Sequence, residues 1–444
     1  MGIALEDGSR IGVVGGGPAG SLFAYFALTF ARRMDLKLEV DIYEPRNFEL
    51  VGPGGCNMCG GIVSESLIQA LAVEGINLPA TVVQRGIDSY VLHTDRESLR
   101  LHTPLHEKRI AAVHRGGGPR DAGEVCGGGL DGFLLGLAQE QGAKVVPARV
   151  TDVSWDDGRP QVHAGETVQT CDLMVGATGV NSAGWDLFEK LGFRCRRPET
   201  TKAYITELRL GRDVIDDRFG TAMHMFLLNM PRLDCAAIIP KCDFATVCLL
   251  GKDIDHELVS AFFASSAVRR CFPPDWNPEG GACHCSPKIN IREPVRPFLD
   301  RVALIGDCGV TRLYKDGIGA AYRTAKAAAR TAVFSGVGAT DFERHYWPVY
   351  RSIAHDNRFG VLIFGVVHWI KALRPLLNGT LTMAATEQAR PGAARRMSIV
   401  LWDMFTGSAP YREIFLRTLS PRFLGALMWQ SARAAAGAGR GEGG

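Results

Sequence analysis

Residues 10–44 constrain the fold more than any other stretch of this 444-residue chain. An apolar run, Ile11 to Val14, enters Gly15-Gly16-Gly17-Pro18-Ala19-Gly20. A helix-forming segment follows, and a second apolar run, Val40 to Tyr43, ends in Glu44. This order predicts a β-α-β unit shaped for a dinucleotide. Gly15 permits the tight turn, Gly17 lets the backbone approach a pyrophosphate, and Gly20 lets the helix pack closely on the strand. Pro18 suits the first helical turn, where no N–H is asked of it. The helix start offers free N–H groups and a partial positive charge to phosphates. Glu44 stands near the ~20-residue spacing of an acid that accepts hydrogen bonds from an adenosine ribose. Gly127, Gly129 and Gly132 repeat the glycine spacing, but no apolar strand precedes them. They read as a loop running into a helix, Asp131 to Gln141.

A second motif lies far along the chain. The strand Arg301 to Ile305 delivers Gly306-Asp307, and the following loop opens an alanine-rich helix, Ala320 to Phe334. Alone, Asp307 also reads as a helix cap. With an intact phosphate motif upstream, its carboxylate suits a ribityl chain, and the backbone from Asp316 to Gly319 suits the N1/O2 edge of a reduced flavin. A nicotinamide-only site needs no such second half, so the pair of motifs predicts FAD. A third strand, Asp172 to Val175, stops in Gly176-Ala177-Thr178-Gly179-Val180-Asn181-Ser182, as a buried parallel strand does at a nucleotide-binding edge.

The residues between these motifs predict an α/β protein: an FAD-binding Rossmann-like domain of the glutathione-reductase type, interleaved with an antiparallel-sheet substrate domain and followed by a helical C-terminal tail. The FAD-binding segments are 1–80, 105–185 and 295–340. The antiparallel segments, 81–104 and 186–294, show period-two patterning in KAYITELRL, DCAAIIP and FATVCLL. Residues 341–432 form the helical region and 433–444 a disordered tail. Net charge is +3 with 22% charged residues, so nothing global favours nucleic acid. Twelve irregularly spaced cysteines favour free thiols in a reducing compartment. The first strand begins close to Met1, leaving no room for a signal peptide, and a cytoplasmic location is expected.

Cys56 and Cys59 sit in a glycine-rich loop ending in Gly60-Gly61. They read as a redox or catalytic thiol beside a cofactor, as half of a metal site with Cys283-His284-Cys285, or as ordinary thiols. The glycines after Cys59 point to close approach to something flat. In the tail, the apolar run Phe359 to Ile370 falls short of the ~20 residues of a bilayer span. Basic residues interleave there with Trp369, Trp402, Phe405 and Trp429. That mixture fits a helical cap on the core, or a surface that dips into the inner face of the cytoplasmic membrane.

The chain resembles the geranylgeranyl reductase family, within the flavoprotein superfamily of p-hydroxybenzoate hydroxylase. The resemblance rests on residues 15–20 with Glu44, on Cys59-Gly60-Gly61-Ile62, on 176–182, on 306–321 and on the phrase FTGSAPYREIF at 405–415. Thr178 stands where the superfamily has Asp, and Tyr314-Lys315-Asp316 where it has a Pro. The resemblance implies hydride transfer from flavin N5 to a carbon–carbon double bond of a polyprenyl or other long-chain lipid, a hydrophobic substrate. NAD(P)H or ferredoxin would be the transient electron donor. A flavin monooxygenase and a quinone-linked dehydrogenase are the alternatives. The implied cofactor-binding residues are Gly15, Gly17, Pro18, Ala19, Gly20, Glu44, Arg46, Cys59, Gly60, Gly61, Gly306, Asp307, Gly317, Ile318 and Gly319. Cys59 is the catalytic candidate, with His93, His284 and Tyr314 in reserve, and no metal site is assigned.

Overall fold

The structure, a computed structural model, describes residues 3–56, 59–102, 110–120, 122, 127–182, 184–193, 198–277, 283–292, 296–390 and 395–441. Asn57 and Met58 of the glycine-rich loop, and most of 121–126 before the repeated glycines, lie outside the described residues. The chain divides into two units, each assembled from three segments. The first comprises Met1–Cys59, His114–Thr201 and Pro287–His355, and the second Gly60–Val113, Lys202–Ser286 and Asp356–Gly444.

In the first unit the strand Ser9–Val14 lies inside a six-stranded sheet, paired in parallel with Leu38–Tyr43 on one side and Leu173–Gly176 on the other. Val302–Leu304 and Lys144–Val146 extend the sheet in parallel, and Phe298–Leu299 closes one edge antiparallel. Ser9–Val14 has Leu38–Tyr43, the next strand in the chain, on one side and Leu173–Gly176, reached much later, on the other, so the strand order switches here, and ligands of open α/β sheets bind outside the C-terminal end of such a point. Ile11, Val13, Leu173, Val175 and Ala303 are fully buried, as strands covered on both faces require. The helices Pro18–Arg33 and Gly317–Phe334 pack together through Phe26 on Tyr322 (5.7 Å, edge-to-face) and Phe30 beside Phe334 (5.4 Å). Phe342 and Tyr346 are buried here, and the Tyr346 hydroxyl donates to the Leu304 carbonyl at 2.6 Å. That contact ties the start of the expected C-terminal region to the nucleotide-type sheet.

In the second unit a seven-stranded sheet runs in the order Cys283–Cys285, Tyr204–Arg209, Phe244–Gly251, Leu233–Lys241, Ala222–Phe226, Ser89–His93, Ser98–His102. Its pairings are antiparallel as the alternation predicts, with one exception: Ser89–His93 joins Ala222–Phe226 in parallel. Those two strands come from distant segments, so no hairpin dictates their direction. Phe226, Phe262, Val247 and Leu249 centre the core on one face of this sheet. Residues 60–80, grouped by sequence with the nucleotide segments, pack here instead. Ile62–Val63 pairs with Ile110–Val113, which pairs with Val83–Ile87.

The C-terminal helices of this unit are capped from within. Asp356 accepts the amides of Tyr411 and Arg412 at 2.9 and 2.8 Å, and buried Glu387 accepts those of Met397 and Ser398 at 3.1 and 2.9 Å. A helix runs Pro421–Gly441, into the stretch expected as a tail, and alanine-rich sequence after Ser431 suits it. Among the described residues no single helix is long and apolar enough to cross a membrane.

Candidate functional site

Gly15 adopts φ +108°, and a Cβ there would lie 2.5 Å from the Ala177 carbonyl oxygen. At Gly20 a Cβ would lie 1.9 Å from the Gly15 oxygen. Any side chain at either position would wedge the turn away from the two strands it joins. Gly17 caps the helix in extended conformation with no side-chain cap bond, Pro18 follows, and no acidic residue occupies the first turn. The helix therefore presents amide hydrogens and positive dipole to an anion without a competing side chain.

Glu44 continues from Leu38–Tyr43 and is buried, 9% exposed. Its two carboxylate oxygens accept the amides of Gly16 (2.9 Å) and Arg46 (3.0 Å). The acid thus holds the glycine turn in place and retains lone pairs for ribose hydroxyls. Arg46 also donates to the Cys56 carbonyl at 3.5 Å, so its side chain braces the following loop.

The second motif meets the first directly. Gly306 adopts φ +59°, and a Cβ there would be 2.6 Å from the Ala19 Cβ. Only glycine lets the loop reach the helix start. The next residue, Asp307, has its carboxyl pushed up by burial, against a hydrogen bond from Thr311 and the charge of Arg115. Gly317 begins its helix above this carboxyl: a Cβ on it would stand 3.8 Å from Asp307 Oδ1. Asp316, left-handed at φ +55°, precedes it and pairs with Arg312 and Arg323 at 3.7 and 3.8 Å. Gly319 faces this carboxylate, where a Cβ would clash at 2.3 Å, and Ile318 is buried between the two glycines. The cradle of glycines, the open helix start at Pro18 and the acids Glu44 and Asp307 fit an extended dinucleotide with a polyol arm.

Cys59 lies in this unit, and sequence reading missed its partner. The Arg115 guanidinium bonds Cys59 while forking onto buried Asp131, Nε to Oδ1 at 2.5 Å and Nη2 to Oδ2 at 3.0 Å. Burial works against the Arg115 charge, but Asp131 and Cys59 outweigh it and raise its pKa. No local motif signals Arg115, because both its partners are brought to it by tertiary structure. Thr178, where the related motif carries Asp, donates to Cys308 Sγ at 3.5 Å.

Other expected residues are placed differently. A Cβ on Gly60 would meet Cys248 Sγ at 2.9 Å, and one on Gly61 the Val113 oxygen at 1.9 Å. Protein packing in the second unit accounts for both glycines without a ligand. Behind Gly61 sits an ion pair between buried Lys241 and half-buried Glu207 at 3.5 Å, the latter also bonded by Thr246 at 2.6 Å. His93 lies in that unit's core beside His224. Burial lowers the two imidazoles to about 4 and about 3. His284 is exposed on its strand and stacks on Tyr204, while Tyr314 takes φ +59° in the loop before Asp316. Among the described residues, Cys56, Cys59, Cys283 and Cys285 form no converging ligand set.

No family model and no curated protein matches the chain. Solved structures do. A geranylgeranyl bacteriochlorophyll reductase-like protein of Thermoplasma acidophilum aligns with TM-score 0.64 at 14% identity, covering 93% of this chain and 99% of its own. A flavoprotein/dehydrogenase from Cytophaga hutchinsonii gives 0.60 at 14%, covering 90% and 93%. This chain has the fold of these two proteins. The p-nitrophenol 4-monooxygenase PnpA from Pseudomonas putida gives 0.56 at 12%, covering 91% and 100%. The flavoprotein fold is thus shared by proteins of differing named activity, and at such identities it carries architecture alone.

Proposed function

We propose that this protein is an FAD-dependent reductase that saturates a carbon–carbon double bond in a polyprenyl or other long-chain lipid. The observation that carries the proposal is the Cys59 thiol bonded by the Arg115 guanidinium within the unit that holds the dinucleotide cradle. FAD, when bound and reduced, supplies a hydride. Glu44 would hold the adenosine ribose, the amides after Gly17 the pyrophosphate, and Asp307 the ribityl chain. Cys59 would deliver its proton to the second carbon of the double bond, leaving a thiolate that Arg115 neutralises until solvent restores the proton. The bond order falls by one, and one hydride and one proton are gained.

The lipid class is supported by apolar side chains exposed in the second unit. Val361, Leu362, Val366 and Trp369 occupy one stripe of the helix Trp347–Ala372, while Leu424, Met428 and Trp429 do so on Pro421–Gly441. Arginines 358, 422 and 433 are exposed on the same helices. Such surfaces suit peripheral contact with a lipid interface. NAD(P)H or ferredoxin would dock transiently to reduce the flavin.

The test is anaerobic turnover of dithionite-reduced protein with a geranylgeranyl lipid, read by mass spectrometry. The expected product has gained two hydrogens. An oxygen-dependent product carrying a new hydroxyl would replace the reductase reading with the monooxygenase one.

A further inference from the structure

A group the nucleotide site does not use lies in the core of the second unit. His93 ends the strand Ser89–His93, His224 lies opposite on Ala222–Phe226, and Cys271 follows the helix Ser266–Arg269. Three ring or sulfur atoms face one another: His93 Nε2 to His224 Nδ1 at 2.9 Å, Cys271 Sγ to His224 Nδ1 at 3.5 Å, and to His93 Nε2 at 3.7 Å. All three residues are buried, and this is the one converging group of metal-binding side chains among the described residues.

We infer that His93, His224 and Cys271 form a structural site for a thiophilic d10 ion, Cu(I) or Zn(II). The point equidistant from the three atoms lies about 2.0 Å from each by those separations, against bonds of ~2.0–2.1 Å to imidazole nitrogen and ~2.3 Å to thiolate sulfur. An ion fits with a shift of a few tenths of an ångström at the sulfur. Two imidazoles and a thiol, with no carboxylate, exclude magnesium and calcium and select a soft or borderline metal.

Orientation supports the assignment. His93 Nδ1 bonds Ser98 Oγ at 2.7 Å, leaving Nε2 directed at the centre, as the outer partner of a ligating histidine does. His93 stacks on Phe226 (4.6 Å) and His224 stands edge-on to Phe219 (5.0 Å), so both rings are locked. Without an ion, a proton must sit between the two nitrogens, and the Cys271 thiol is left to the Ala267 carbonyl at 3.5 Å. Among the described residues His224 Nε2 has no partner. Ligation releases the thiol proton alone, and the proton between the rings moves to the far nitrogen of its own imidazole, so that two neutral imidazoles and one thiolate hold the ion. The charges that act on the histidines include Arg270 on His93 and Arg100 on His224, both cationic. A thiolate with Cu(I) is neutral overall, which favours the monovalent ion over Zn(II) in this apolar wall. The ion would tie together three segments distant in sequence and contribute to folding rather than to turnover.

The experiment is metal analysis of the full-length protein, purified without chelator, beside Cys271→Ser and, as a control thiol, Cys285→Ser. The expected result is about one copper or zinc per chain in the wild type and the control, and a loss of at least tenfold in Cys271→Ser. Stripped wild type should regain melting temperature on adding Cu(I) or Zn(II), and the tighter competitor against a chelator identifies the ion. Should Cys271→Ser fail to fold, the stripped wild type carries the test. Wild type without bound copper or zinc, whose melting temperature neither ion raises, would overturn the site.

Discussion

Arg115 and Asp131 form a forked ion pair with Asp131 fully buried, and the same guanidinium bonds Cys59. Removing one partner strands the other charge in the interior. Asp131→Ala should cost about 3–5 kcal/mol in chemical denaturation. Arg115→Lys should also destabilise, because an ammonium cannot span both oxygens. A loss under ~1 kcal/mol for Asp131→Ala would mean that the fork is solvated.

Cys59→Ala separates proton delivery from cofactor binding. Turnover should fall by about 10²–10⁴-fold while the bound flavin absorbance persists. Unchanged turnover with full flavin content would remove Cys59 from the chemistry.

Two glycines provide opposite outcomes. Gly20→Ala puts a methyl 1.9 Å from the Gly15 oxygen and should destabilise by about 1–3 kcal/mol, with loss of flavin on gel filtration. Gly136 lies inside the helix Leu130–Glu140 with nothing within 4 Å of an added Cβ. Gly136→Ala should stabilise by about 0.5–1 kcal/mol, read from the denaturant midpoint.

Asp307 gives a pH dependence of definite sign. Burial raises its carboxyl in the folded state, so the folded protein binds a proton that the unfolded chain has released. Its contribution to stability is therefore present below the unfolded carboxyl pKa and is lost as pH rises through the folded value. Asp307→Asn should melt at or above the wild-type temperature at neutral pH without ligand, with the advantage shrinking toward acid. The same variant should bind FAD more weakly. A variant less stable at neutral pH than in acid, relative to wild type, would reverse the sign.

The exposed apolar stripe can be tested without touching the cradle. Replacing Trp369 and Trp429 with Ser should reduce pelleting with anionic vesicles by several-fold while leaving thermal stability within about 0.5 kcal/mol. Equal pelleting would assign the stripe to another role.

The glycine turns of the first unit were legible in the residues because their constraints are local. Gly15, Gly20 and Gly306 each face a backbone or side-chain atom that leaves no space for a Cβ, and Glu44 follows its strand by one residue. Steric prohibition and strand-end position are recorded in single residue types at short spacing. Strand and helix periodicity likewise placed the two sheets and the helix beginning near Leu130.

Tertiary structure decided what depends on residues distant in sequence. Period-two patterning marks a half-buried strand but does not name its neighbours, so the parallel pairing of Ser89–His93 with Ala222–Phe226 was hidden. The same pairing brings His93 to His224, and chain return after Ser266–Arg269 adds Cys271, three residues that no spacing rule connects. Gly60 and Gly61 suggested a flat ligand, yet their neighbours are Cys248 and Val113. A glycine records that something comes close, and only the folded chain identifies what. Sequence alone determined where the glycine turn, the strand-end acid and the second glycine loop lie. Long-range packing determined which charges, thiols and imidazoles meet, because a buried polar group is defined by partners that the interior supplies.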